Sequence, residues 1–398
     1  MYPLVESREQ AEILRYLRRR GGTASRSELT GFLGVSRSKV FKEVQALIEA
    51  GLAAEDGLAD SEGGRRSSLI GIPRSAGVVA AAALGATSVD VALFTLAGEL
   101  LDCRSEPAEI REGPRPVLGR VKELLSELRE ASLVDAREVL SIGIGVPGPV
   151  EQASGVLRSP PIMPGWDGFP IRDSFAGEYA APVFVDNDVN VMALGEHWGG
   201  VARGVDNVLF VKVGTGIGCG IIADGRIYRG TQGSAGDIGH VAVDADGPVC
   251  TCGNRGCLEA MAAAPAMRLE AERRAREGLS AALAEILEGR GELTARDIGR
   301  VAGAGDYEAQ GIIRRSGRLT GQVIATLVSV LNPSLIVLGG GVSRIGHAFL
   351  AEIRSTVYAR SLPLATRNLP IVLSELGEMS GVTGAGTLAA EGVLAVPA

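Results

Sequence analysis

Val208-Leu-Phe-Val-Lys-Val-Gly-Thr-Gly-Ile-Gly-Cys-Gly-Ile-Ile-Ala-Asp-Gly-Arg-Ile227 reads as a strand, a Gly/Thr turn, a second strand, a tight Asp-Gly turn and the start of a third strand. The same order stands about 130 residues earlier, in Val78-Val-Ala-Ala-Ala-Ala-Leu-Gly-Ala-Thr-Ser-Val-Asp-Val-Ala-Leu-Phe-Thr-Leu-Ala-Gly-Glu-Leu100. Two such hairpins predict two related α/β lobes facing each other across a cleft. Each Gly/Thr turn can present backbone N–H groups to a phosphate, with Gly214, Thr215, Gly216 and Gly218 forming the more regular candidate loop. Further buried strands are expected at 139–144, 183–185 and 335–338, with helices between them, and ligands at the carboxyl ends of the strands.

Between the second hairpin and residue 260, His240, Cys250, Cys252 and Cys257 supply one imidazole and three thiolates, a full tetrahedral zinc set. Four protein ligands leave no open position for a catalytic water, so the expected Zn(2+) is structural. Three unrelated thiols are the alternative. Cys103 and Cys219 remain, a poor basis for a disulfide framework, which fits a reducing, cytoplasmic setting. The apolar run from 77 to 86 is interrupted by Ser88 and Asp90, well short of the ~20 residues of a membrane span.

The chain has 398 residues and a formal charge of −7, which argues against a surface that is basic throughout. Residues 1–74 depart from this average, with 12 Lys+Arg against 10 Asp+Glu, hence +2 against −9 for the remainder. Nucleic-acid contact is therefore expected at the N-terminus alone. There Ile13, Leu14 and Leu17 mark a first helix that ends at Gly21-Gly22. A second is expected at 26–33, Gly34 gives the turn, and Ser36 caps a third helix with Val40, Val44, Leu47 and Ile48 on its apolar stripe. Arg37, Ser38, Lys39, Lys42 and Gln45 are the candidate DNA-reading residues of that helix. A strand, a Gly-rich turn carrying Arg65 and Arg66, and a second strand follow, as in a wing that contacts phosphate or the minor groove. The competing reading is a small helical bundle whose charges are a solvated face.

These residues resemble the ROK family of repressors and sugar kinases. The run Gly236-Asp-Ile-Gly-His240 through Cys250-Thr-Cys-Gly-Asn-Arg-Gly-Cys-Leu-Glu259 is similar to the family's zinc signature. Val185-Asp-Asn-Asp-Val-Asn190 with Ala193-Leu-Gly-Glu196 is similar to its catalytic-aspartate segment. Gly143-Ile-Gly-Val-Pro-Gly-Pro149, Gly214-Thr-Gly-Ile-Gly218 and Ile336-Val-Leu-Gly-Gly-Gly341 look like further family motifs. The resemblance implies an actin-like ATPase fold with ribonuclease H-like duplicated lobes, preceded by an all-α/winged-helix DNA-binding domain. The boundaries expected are 1–74 for the head, 77–192 for the first lobe, completed by a C-terminal helix at about 381–398, and 193–380 for the second lobe with the zinc site and an oligomerisation surface. It also implies that Asn187, Asp188, Asp237, His240 and Glu259 bind sugar hydroxyls, with Asp188 as the general base if the chain is a kinase. The family usually carries Glu where Asp237 stands.

Where the family's kinases carry Asp-x-Gly-Gly-Thr-Lys, this chain has Ala83-Leu-Gly-Ala-Thr-Ser88. The carboxylate that helps hold magnesium, the second glycine and the ammonium are all missing, so ATP and magnesium are not expected as cofactors. The resulting expectation is a sugar-responsive transcriptional regulator, a repressor, with operator DNA and a sugar or sugar phosphate as its partners. It acts as a homodimer or tetramer, with 312–331 as one candidate interface or else a core helix. An ATP-dependent sugar kinase is the alternative, and control by an unidentified protein partner is a third reading.

Overall fold

The computed structural model describes residues 4–58 and 67–396, and these fall into two compact units, 1–191 with 381–398, and 192–380. The division lies within two helices, one that starts at Asp188 and one that ends at Val393.

The first unit opens with a winged helix-turn-helix. Helix α1 (Arg8–Arg20) is capped by Ser7, which accepts from the N–H of Gln10; strand β1 (Ala24–Ser25) leads into α2 (Arg26–Leu33) through a Ser25/Glu28 capping box. Helix α3 (Arg37–Glu49) is capped by Ser36. Strands β2 (Ala54–Leu58) and β3 (Ser68–Gly71) complete a small antiparallel sheet in the order β1-β3-β2. The expected basic tip, Arg65 and Arg66, lies outside the described residues.

After the head come β4 (Val78–Leu84), β5 (Ser88–Thr95), β6 (Leu100–Pro107), α4 (Pro114–Ala131) and β7 (Val139–Val146). A short ribbon of β8 (Val150–Glu151) and β9 (Val156–Leu157) then precedes β10 (Val183–Asn187) and α5 (Asp188–Gly199). The sheet order is β10-β7-β4-β5-β6, with β4, β5 and β6 an antiparallel meander and β7 and β10 added in parallel.

The second unit repeats this plan. Strands β11 (Val208–Val213), β12 (Ile217–Ala223) and β13 (Arg226–Tyr228) form the meander, while β14 (Leu335–Gly339) and β15 (Ile371–Leu373) are the parallel additions, in the order β13-β12-β11-β14-β15. The duplication expected from the paired hairpins is thus present strand for strand, and the fold is the actin-like ATPase fold. Helices α6 (Leu258–Ala262), α7 (Ala264–Arg276), α8 (Ala281–Arg290), α9 (Ala295–Gly303), α10 (Tyr307–Leu331) and α11 (His347–Arg360) cover the sheet. The apolar stripe of α10, including Ile312, Ile313, Val323, Ile324 and Val328, is buried within this unit. Burial in its own core accounts for that stripe, and what α10 leaves exposed includes Arg314, Arg315, Arg318 and Val330.

The C-terminal helix, Met379–Val393, binds the head to the first sheet. The Ser141 hydroxyl on β7 donates to the carbonyl of Ala389 at 2.9 Å, and a Cβ at position 143 would lie 1.9 Å from the Ala385 carbonyl oxygen. Only glycine permits that approach. Val393 and Leu394 then enter the head's own core beside Leu14, Leu17, Leu47 and Ile70, and the Leu4 N–H donates to the Val393 carbonyl. Arg18 is 3% exposed there; its Nε donates to the Leu96 carbonyl at 2.8 Å and its Nη1 lies 3.5 Å from Glu391, which also takes Arg15 at 2.7 Å. Burial, opposed by Glu391, pulls the Arg18 guanidinium down to about 10, so it stays charged at neutral pH.

Replacing Gly143 by alanine should therefore lower unfolding stability by about 1–3 kcal/mol or more through overpacking. Urea denaturation would show a shifted midpoint, and an unshifted one would mean that the helix does not sit this close in solution.

Candidate functional site

In the first unit the candidate residues stand where β10 runs into α5. Asp186, 2% exposed, accepts from the backbone N–H of Asn187 at 2.8 Å and from the Asn190 amide at 2.9 Å. Asn187 caps α5, its Oδ1 accepting from the N–H of Val189 at 2.9 Å and of Asn190 at 3.4 Å, while its amide donates to the Gly148 carbonyl at 2.9 Å. One amide N–H is left over for a ligand. Asp188, 7% exposed, is the first residue of the helix, where the backbone N–H groups and the helix dipole favour an anion.

The first Gly/Thr turn is closed on itself. The N–H of Gly85 donates to the Ser88 carbonyl at 2.8 Å, and the carbonyls of Ala86 and Thr87 accept from Ile110 and Ala108. Position 83 carries only a methyl group and position 88 only a hydroxyl, so this turn supplies neither a carboxylate for a magnesium ion nor an ammonium for a phosphate.

In the second unit the turn after β11 is drawn together by the Gly214 N–H, which donates to the Gly216 carbonyl at 3.0 Å. Glu259, at the start of α6, accepts from the Ile217 N–H at 3.0 Å. A Cβ at position 216 would meet that carboxylate at 2.6 Å, so the glycine there makes room for the glutamate rather than for a phosphate alone. The Glu259 carboxylate also lies 3.4 Å from where a Cβ of residue 239 would stand, which brings it beside the segment carrying Asp237 and His240.

His240 faces two ways. Its Nδ1 is 3.5 Å from Cys250 Sγ, and its Nε2 is 3.9 Å from the half-exposed Asp237 carboxylate. The loop that follows folds back through bridges at Ala242–Cys257 and Val249–Arg255 and through the Cys250 N–H bond to the Asn254 carbonyl, which gathers the sulfurs. Cys252 and Cys257 Sγ are 3.7 Å apart, and the donor atoms of all four residues lie within 4.8 Å of one another. A tetrahedral ion with metal–sulfur bonds of about 2.3 Å sets its ligands roughly 3.8 Å apart, so the four residues could hold one metal ion. The sulfurs' own chemistry points the same way. Burial and the neighbouring sulfurs push the Cys257 thiol up to about 12, whereas the Asn254 backbone N–H holds Cys252 below the usual thiol range. A cation removes that conflict by stabilising all three thiolates.

On the head, Arg37, Ser38 and Lys42 are exposed on α3, and the Gln45 amide donates to Glu49 at 3.2 Å. Lys39 is placed differently. It pairs with Glu43 at 3.0 Å and with Glu9 at 3.6 Å, while Glu43, 5% exposed, also accepts from Ser7 and Gln10 at 2.9 Å each. About 100° per residue turns Lys39 a quarter circle from Ser38, and its charge serves the α1–α3 junction.

Within the segment from Val185 to Glu196, two buried carboxylates carry no role in the sequence reading, Asp186 and Glu196. Glu196 is fully buried and accepts from Val201 N–H, the Ser374 hydroxyl and Leu376 N–H at 3.0, 2.6 and 2.9 Å. The signal available for both was an acid set among apolar positions. Phe41, 57% exposed on α3, likewise has no role in the sequence reading.

Residues 79–391 match the profile of the ROK family. A glucokinase of Halalkalibacterium halodurans is 35% identical over 306 residues, covering 77% of this chain and 92% of its own. The xylose repressor of Caldicellulosiruptor bescii is 29% identical over 373 residues, covering 94% and 93%. The crystal structure of a ROK family transcriptional regulator, a homologue of the E. coli MLC protein, superposes with a TM-score of 0.82 at 28% identity, covering 97% of this chain and 98% of that one.

Elemental analysis of the purified chain should return about one equivalent of a thiophilic divalent metal, and Cys257→Ser should lose it together with several degrees of thermal stability. A metal-free native protein of unchanged stability after chelation would contradict the assignment of these four residues.

Proposed function

The chain belongs to the ROK family, and from that membership we propose that it is a sugar-responsive, DNA-binding transcriptional regulator that acts as a repressor. The observation that carries the reading is the winged helix built into the first unit, with Val393 and Leu394 completing its core. The repressor relative is matched over 94% of this chain, whereas the glucokinase is matched over 77%. The closed first turn, without acid or base at 83 and 88, supports a binding role over phosphoryl transfer.

In this proposal a sugar's hydroxyls are taken by Asn187 and Asp188 of one unit and by Asp237, His240 and Glu259 of the other. The metal is zinc, selected by three thiolates and an imidazole, and its contribution is to fix the loop that carries His240 and Glu259. With Nδ1 turned to the sulfurs, His240 keeps Nε2 for the ligand, and Glu259, anchored through one oxygen by the Ile217 N–H, keeps the other. Asp188 accepts a hydroxyl proton as a hydrogen bond; in the alternative reading, a kinase, the same carboxylate is the general base. The regular turn at Gly214–Gly218 and the glucokinase relative are what favour that alternative. Operator DNA is taken by α3 in the major groove with Arg65 and Arg66 on the flanking backbone, by a homodimer or tetramer that spaces two heads along the duplex. A sugar shifts DNA affinity only so far as it binds the DNA-competent and incompetent states unequally.

Titration calorimetry with xylose, glucose and N-acetylglucosamine should find one sugar that binds and that changes operator affinity in fluorescence anisotropy at fixed salt. Asp188→Asn should weaken that sugar by at least about tenfold, the loss of a charged hydrogen bond, and leave sugar-free DNA binding intact. Release of ADP on mixing ATP with the same sugar would overturn the reading in favour of a kinase.

A further inference from the structure

Helix α3 buries Val40, Val44 and Leu47 in the head's core, each no more than 1% exposed, yet its neighbour Phe41 is 57% exposed. Phe41 therefore contributes little to the core. With 3.6 residues per turn, Ser38, Phe41, Lys42 and Gln45 follow one another at i, i+3, i+4 and i+7 and share the outward face. The ring is also held in place. The Arg26 guanidinium lies 5.5 Å from its centroid, and Arg26 is itself tied to Ser68 at 2.7 Å and Glu55 at 3.0 Å in the two wing strands. Arg37 and Lys42 have no acidic partner among the described residues, so the ring is flanked by free positive charge.

An apolar ring ordered by a cation, exposed, and framed by unpaired basic groups fits a polyanion that offers apolar groups between its charges. Duplex DNA is that partner, and the thymine C5-methyl is the apolar group displayed in its major groove. A phenyl ring can neither donate nor accept a conventional hydrogen bond, so it is blind to the groove's polar pattern and sensitive to that methyl. We propose that Phe41 is a sequence-reading residue that packs on a thymine methyl of the operator. The proposal rests on the regulator reading above and specifies which chemical feature of the DNA the head selects.

The test uses the full chain. Duplexes are selected from a random library at fixed salt by the wild type, and each thymine of the selected site is then replaced singly by deoxyuridine, which removes the methyl and leaves every hydrogen-bonding edge unchanged. One replacement should weaken wild-type binding about threefold to fivefold, the size of one buried methyl group. Phe41→Ala should bind the thymine duplex correspondingly less tightly, lose that sensitivity and keep its affinity for unselected DNA, which depends on phosphate contacts. Phe41→Leu should retain part of the discrimination. Indifference of the wild type to every deoxyuridine overturns the proposal and leaves the regulator reading standing, as does an undiminished penalty in Phe41→Ala. A shift of Phe41→Ala to a smaller oligomer in light scattering overturns it in favour of a contact between two copies of the chain. Failure of the wild type to select any sequence removes the regulator reading itself.

Discussion

The approach of the C-terminal helix to strand β7 is the constraint on which the first unit depends. A missing side chain at Gly143 and a hydroxyl at Ser141 set the helix against the sheet, and everything further along follows from that seating. Glu391 meets Arg15 and Arg18, and Val393 and Leu394 reach the head. The head is thus a continuation of the lobe's packing, with a buried guanidinium at the seam. Removing the Glu391 carboxylate would leave the buried Arg18 guanidinium at the seam without its opposite charge, with the Leu96 carbonyl still accepting from it.

Much of this was legible in the sequence where the signal is local. The two hairpins declare themselves through β-rich runs split by Gly/Thr turns, and the sheets repeat strand for strand. The head's third helix is marked by Ser36, which does cap it, as Ser7 and Ser25 cap the two helices before it. The His/Cys cluster was legible because its residues lie within 18 positions, too short a stretch to separate them far once the loop closes. What stayed hidden depends on residues distant in sequence. Lys39 reads as a groove-facing cation, but it pairs with Glu43 of its own helix and with Glu9 of α1, and what turns it to that junction is that Glu43 is itself held by Ser7 and Gln10. Asn187 looked like a ligand contact, and much of its hydrogen-bonding capacity goes to starting α5 and holding Gly148. Arg18 gave no sign that it is buried, because the groups that receive it belong to β5's end and to the last helix.

Glu259 illustrates how one carboxylate can tie a loop to a turn. A carboxylate held by the Ile217 N–H and pressed over Gly216 cannot move without disturbing the glycine turn, and the turn cannot accept an anion at that N–H without displacing the carboxylate. Since Glu259 follows Cys257 by two residues, the His/Cys loop, the turn and this carboxylate respond as one body. A ligand that reorients any of them is felt by all three.

The seating of residues 393 and 394 in the head also bears on synthesis. The ribosome delivers the three head helices first, and domains ordinarily fold as they emerge. Here the residues that complete the head's core leave the ribosome only after both lobes have been made, and contacts this distant in sequence form late. A nascent or truncated chain consequently carries a head with an open apolar seat and an Arg18 that lacks the Glu391 carboxylate. An exposed apolar seat of this kind invites proteolysis and chaperone binding, so that only molecules whose second unit has already been made present a finished head.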